Sequence, residues 1–104
     1  MRITQKTIDK VTDNMNPTKK GWAIGLAILM NALDMEKDLT IKLTEEYKGV
    51  EPIFIDVQEN DKFKVRLYVN SDREYTKRDM TFIDILDLAE KEFGGITSCL
   101  YKLF

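Results

Sequence analysis

The chain has no histidine, and among its 104 residues there are one cysteine, one tryptophan, two prolines and five glycines. Each shortage removes a class of chemistry. Without histidine there is no side chain that titrates unaided near neutral pH, no Ser-His-Asp or Cys-His arrangement, and no imidazole to hold a metal. A lone cysteine, Cys99, excludes an internal disulfide and a thiolate cluster, and it reads as a small buried hydrophobe. The glycines build no phosphate cradle. Gly21 and Gly25 are followed by no Gly-Lys-Ser/Thr, and Gly94-Gly95 lacks the third glycine of a dinucleotide loop. No G-x-S-x-G elbow is present. Net charge is -2 with a pI near 5.2, so no global positive field advertises nucleic acid.

Long apolar runs are also missing, with one near exception. Residues 21–33 are uncharged and mostly apolar, but a spanning helix needs about 20 such residues and a shorter run belongs to a core helix. Polar residues including Asp9 and Asp13 precede the run, which is not the pattern of a secretion signal. Asn16 suits a helix N-cap and Pro17 the first helical position, so the run reads as a buried helix. Gly21, Gly25 and Ala32 form one thin stripe along it, which suggests close packing against a neighbouring element.

What is present is an ordinary globular composition, 43% hydrophobic and 33% charged, in a length suited to one domain over residues 1–104. Ile3, Ile8, Val11 and Met15 share a helical face over residues 3–15, while Arg2, Lys6 and Lys10 make a basic stripe. After Asp38 the period changes from helical to alternating. Leu39, Ile41 and Leu43 predict one strand, Ile53, Ile55 and Val57 a second, and Phe63, Val65, Leu67 and Val69 a third. Lys48-Gly49 and residues 58–62 supply turns, so the three strands should form an antiparallel meander, with Pro52 at the start or edge of the middle one. Residues 71–80, SDREYTKRDM, show no apolar alternation and read as a charged connection. Thr81 and Asp84 then resemble a capping box before Phe82, Ile85, Leu86, Ala89 and Phe93, and Gly94-Gly95 ends that helix. Residues 96–104 read as a strand or a tucked segment. The expected fold is α+β: two N-terminal helices with the second buried, a three-stranded antiparallel meander, one further helix and this last element.

Over residues 17–93 the helix, three strands and helix resemble the element order of double-stranded-RNA-binding domains. Those domains carry a basic cluster where the last helix begins. Here Asp79, Asp84 and Asp87 occupy that region.

Carboxylates are the remaining candidates for metal ligands. Asp34, Glu36 and Asp38 have the spacing that opens an EF-hand loop and Glu45 falls at its twelfth position, but Leu39 stands where the turn needs glycine. Glu46-x-Lys48 after Asp38 has no strand-borne carboxylate partner for a metal-dependent nuclease. The sequence therefore predicts no catalytic residue, no metal and no cofactor.

Two candidate surfaces remain. Tyr68, Arg73, Tyr75 and Arg78 combine the residue types that most often anchor protein interfaces. Lys42, Phe54, Lys64, Arg66 and Tyr68, with Thr40, Thr44 and Asp56, project from the outer face of the meander, where aromatics beside cations can stack bases and meet phosphates. Glu45, Glu46, Glu51, Glu59 and Asp61 surround that patch and weaken phosphate attraction. The basic stripe at the start and the acidic last helix also suit orientation against each other or against a charged partner. The expectation is a cytoplasmic, non-enzymatic module that binds a larger protein as a regulator or inhibitor, of a kind that fits accessory proteins of mobile elements. Nucleic-acid binding is the alternative. No membrane is expected, and the Gly21/Gly25 stripe or an edge strand admits homodimerisation.

Overall fold

The computed structural model describes residues 2–34, 39–43, 52–69, 73–96 and 99–103. Two short helices come first, α1 (Gln5–Thr12) and α2 (Pro17–Ala32). Four strands follow, β1 (Leu39–Leu43), β2 (Ile53–Val57), β3 (Phe63–Val69) and β4 (Arg73–Met80), then helix α3 (Phe82–Phe93) and strand β5 (Cys99–Leu103). The strands form one antiparallel sheet in the order β4-β3-β2-β1-β5. The α+β class and the meander are as expected, and the last element is a strand against β1. The expected turn at Lys48-Gly49, Thr44, the EF-hand spacing and Glu46-x-Lys48 fall on or run into residues outside those described.

Local signals end each helix. Thr4 caps α1 by accepting from the Thr7 amide, and Asn16 caps α2 by accepting from the Lys19 amide at 2.9 Å, with Pro17 at the first helical position. Thr81 and Asp84 form a reciprocal capping box on α3, and Gly94 closes that helix at φ 65°, a conformation glycine adopts without strain.

The strand side chains that point inward are apolar: Ile41, Ile53, Ile55, Val57, Phe63, Val65, Leu67 and Cys99 are buried. They join Ile3, Ile8, Ala23, Leu26, Ala27, Met30, Leu33, Phe82, Ile85, Leu86, Leu88 and Ala89 in one core. The helices therefore lie on one face of the sheet. The 38 × 33 × 20 Å dimensions fit one helix layer on one sheet layer. Helix α2 is buried along Ala23, Leu26, Ala27 and Met30, but Ile28 on its far side is 61% exposed. No helix among the described residues is long and apolar enough to cross a membrane.

Asn31 holds the N-terminal segment to the end of α2. Its side chain accepts from the Ile3 amide at 2.8 Å and donates to the Ile3 carbonyl at 2.9 Å, mimicking a strand pair. Arg2 donates to the Asn31 carbonyl at 3.1 Å and pairs with Asp61 at 3.1 Å. Of the two glycines in the stripe, Gly25 meets a close neighbour, the Tyr101 side chain, while Gly21 meets nothing within 4 Å among the described residues. Tyr101 donates to the Trp22 carbonyl at 3.2 Å, Trp22 donates to the Cys99 carbonyl at 3.0 Å, and the two rings meet edge to face at 5.1 Å. The glycine thus lets β5 dock on α2.

One expectation needs correction. Residues 73–80 are not a connection but strand β4, paired with β3 from Val69–Arg73 to Phe63–Met80. Seven of its eight residues are exposed, on both sides of the strand alike, and only Met80 at its end packs against the core. Apolar alternation records burial, so a strand wet on both faces does not display it. With four strands between α2 and α3, the resemblance to double-stranded-RNA-binding domains does not hold even in element order.

Candidate functional site

The face of the sheet away from the helices is uncovered among the described residues, and cross-strand register decides which side chains meet there. Phe54 lies opposite Arg66, Asp56 opposite Lys64, Arg66 opposite Thr76, and Tyr68 opposite Glu74. Opposed residues in an antiparallel pair project to the same side. Phe54, Asp56, Lys64, Arg66 and Tyr68 each alternate with a buried neighbour, so all five stand on the open face, half-buried.

These side chains interlock. The Arg66 guanidinium sits 5.2 Å from the centre of the Phe54 ring, and Phe54 meets Tyr68 edge to face at 6.4 Å. Asp56 lies between the cations, 3.5 Å from Arg66 Nε and 3.8 Å from Lys64 Nζ. Arg66 Nε is enclosed and makes no hydrogen bond, so its tie to Asp56 is ionic. The Tyr68 hydroxyl donates to Glu74 at 3.3 Å. The aromatic and basic residues of the nucleic-acid alternative are thus brought together, but with their charge partly cancelled by Asp56. Lys42 stands opposite Leu100 in the β1–β5 ladder, and its side chain is outside the described part.

The four protein-contact candidates gather at the β3–β4 margin but divide between its two sides. Tyr68 is on the open side, and Arg78, two residues beyond the outward Thr76, borders a shallow depression with Lys64, Gln58 and Asn60. Arg73 and Tyr75 stand opposite Val69 and Leu67, on the helix side, where Tyr75 is 42% exposed. Three of them are on the edge strand β4 and Tyr68 is on its neighbour β3, so they do not make one patch. Their neighbours Glu74 and Thr76 escape sequence reasoning, since Tyr75-Thr76 offers only a weak strand signal.

A bulge between Phe63 and Val65 ends the regular part of β4. Asp79 there has φ 58°, and three bonds hold it: Gln58 Nε2 donates to its carboxylate at 2.9 Å, Asn60 Nδ2 at 3.0 Å, and its own amide donates to Gln58 Oε1 at 2.8 Å. Donation from Asn60, then from Gln58, holds the Asp79 carboxyl below its ordinary pKa. Nearby, a cleft of about 440 Å³ opens between the N-terminal segment, the β2–β3 turn and the start of α3, lined by Arg2, Thr7, Asp61, Met80 and Ile83. It contains no pair of groups suited to acid–base or nucleophilic work. Cys99 is buried, and burial first, then Glu90, pushes its thiol up to about 11, which makes it a poor nucleophile. Among the described residues no group of three or more acidic or cysteine side chains is placed to hold a metal.

The arrangement offers recognition surfaces: an open face with an Arg-on-Phe centre, and an exposed edge strand rich in Tyr, Arg and Lys. Comparison of the chain with models of known protein families, with curated proteins and with solved structures finds no match in any of the three.

Proposed function

We propose that this chain is a non-enzymatic, cytoplasmic protein-binding module, a small regulator or inhibitor that acts by occupying a larger protein. The observation that carries the reading is strand β4. It lies at the edge of the sheet, exposes Arg73 to Asp79, and carries Tyr75, Arg73 and Arg78 beside Tyr68 of β3. An edge strand offers unpaired backbone groups to an incoming strand, and its side chains on both faces supply the specificity. Tyr and Arg contribute large contact area and forked hydrogen bonding to such an interface.

Nucleic-acid binding is the second reading, favoured by the Arg66–Phe54–Tyr68 cluster on the open face. It ranks below the first because Asp56 already engages both Arg66 and Lys64, and a phosphate would have to compete with it. Alanine at Tyr68, Arg73, Tyr75 and Arg78 together should abolish capture of the partner in an affinity pull-down from native lysate, with the melting temperature nearly unchanged. Capture that survives intact refutes the assignment. Capture lost on nuclease treatment of the lysate, or a gel shift that weakens steeply with salt, transfers the function to the open face.

A further inference from the structure

We infer that β4 pairs with β4 of a second copy of this chain, antiparallel and centred on Thr76, so that two five-stranded sheets become one. This rests on reading β4 as a protein-contact strand and names the strand that fills it.

Parity limits the registers open to such a pair. In an antiparallel ladder, opposed residues are either both hydrogen-bonded or both not, and along any one strand those roles alternate. A strand therefore pairs with its own copy only about a two-fold axis through a residue, never between two. The regular part of β4 and its first bulged residue leave few centres: Glu74, Tyr75, Thr76, Lys77 or Arg78.

Charge then selects among them. Centring on Glu74, Lys77 or Arg78 sets that charge against its own copy. A Tyr75 centre sets Arg73 against Lys77 on both sides of the axis. Only the Thr76 centre is free of such conflict. It places Glu74 opposite Arg78 twice, Tyr75 opposite Lys77 twice, and Thr76 opposite itself. The faces also agree. Glu74, Thr76 and, by alternation, Arg78 belong to the open side, while Tyr75 and Lys77 stand opposite Leu67 and Val65 on the helix side. Each ion pair and each aromatic–cation pair thus forms between side chains on the same side of the joined sheet. The bulge at Asp79 stops the pairing just beyond Arg78.

The exposure of β4 suits this occupant. A lone edge strand exposed on both faces gains little from its own sheet, and charged residues along it block pairing with strands of the wrong pattern. The same charges are complementary to themselves about Thr76. The two-fold axis is perpendicular to the sheet, so the helices of both protomers lie on one side and both Arg66–Phe54–Tyr68 clusters on the other.

The test uses the full chain in sedimentation velocity over a concentration series reaching about 1 mM. A species of twice 12.1 kDa is expected to grow with concentration. Glu74→Arg and Arg78→Glu should each weaken association at least about tenfold, since each turns two attractive pairs into repulsive ones. Mixing the two variants should restore the dimer, because each then meets its opposite charge at both positions. Circular dichroism on each variant confirms that these exposed positions leave the fold intact. Thr76→Cys should cross-link to its own copy under mild oxidation, since directly opposed strand residues lie within disulfide reach, whereas Tyr75→Cys should not. A monomer at the highest concentration overturns the pairing, and if alanine substitution still abolishes partner capture, the protein-contact reading survives alone. A dimer indifferent to both charge reversals, or a mixture that stays monomeric, also overturns it.

Discussion

Gly21 and Gly25 lie four residues apart on one helix, and the structure predicts opposite outcomes when each becomes alanine. A methyl group at Gly21 meets nothing within 4 Å. Gly21→Ala should therefore gain most of the helix-propensity difference, about 0.5–1 kcal/mol. At Gly25 the same methyl would overlap the Tyr101 hydroxyl, with the ring carbon behind it at 3.2 Å. Tyr101 would have to withdraw, giving up its bond to the Trp22 carbonyl and its edge-to-face contact with the indole. Those contribute about 1 kcal/mol and about 0.5–1.5 kcal/mol. Set against the same propensity gain, Gly25→Ala should lose about 1 kcal/mol net. At this size the two variants should then separate by roughly 6–16 °C in melting temperature, in opposite directions from the parent. Urea unfolding followed by far-ultraviolet circular dichroism measures both, and the emission of the only tryptophan, Trp22, reports the disturbance at the joint. The Tyr101→Phe background should reduce the penalty of Gly25→Ala, because the clashing hydroxyl and its hydrogen bond are already gone. If Gly25→Ala proves as stable as Gly21→Ala, the docking of β5 on α2 through this glycine is wrong.

Other expectations follow from the same geometry. Ile28→Gln on the exposed side of α2 should change stability by less than about 0.5 kcal/mol, while Leu26→Ala, fully buried two residues earlier, should cost about 2–5 kcal/mol; equal effects would mean that α2 is enclosed all round. Thr81→Ala removes one arm of the α3 capping box and should cost about 1 kcal/mol in chemical denaturation. The Cys99 thiol, with its folded pKa raised from 9.0 to about 11, is neutral in both states below pH 9 and so leaves stability untouched there; between 9 and 11 only the unfolded chain ionises, so stability should fall as pH rises through that window and level off above it. Cys99→Ser should flatten that slope, and a thiol reagent at pH 8 should label Cys99 only after denaturation.

Much of the fold could be read from the residues because burial leaves a period. Ile53, Ile55 and Val57 alternate because one side of β2 faces the core, and Phe82, Ile85, Leu86 and Ala89 recur at helical spacing because one side of α3 does. Caps are legible for a different reason. Asn16, Thr81 and Gly94 answer a backbone need that exists within a few residues of themselves. The candidate surfaces were half legible. Phe54, Lys64, Arg66 and Tyr68 could be assigned to one face by alternation, but not the placing of Asp56 between the two cations, which depends on the pairing of β2 with β3.

The sequence by itself determined the α+β class, the helix ends, the inward faces of the central strands, and the absence of histidine chemistry, since each of these depends on residue identity or near neighbours. Tertiary structure alone decided that SDREYTKRDM contains an edge strand, that Gly25 rather than Gly21 meets a neighbour, and that the helices leave one side of the sheet bare. Those outcomes turn on which distant segments lie side by side. A strand exposed on both sides, or a glycine that answers to a tyrosine 76 residues away, carries no local periodicity to announce it.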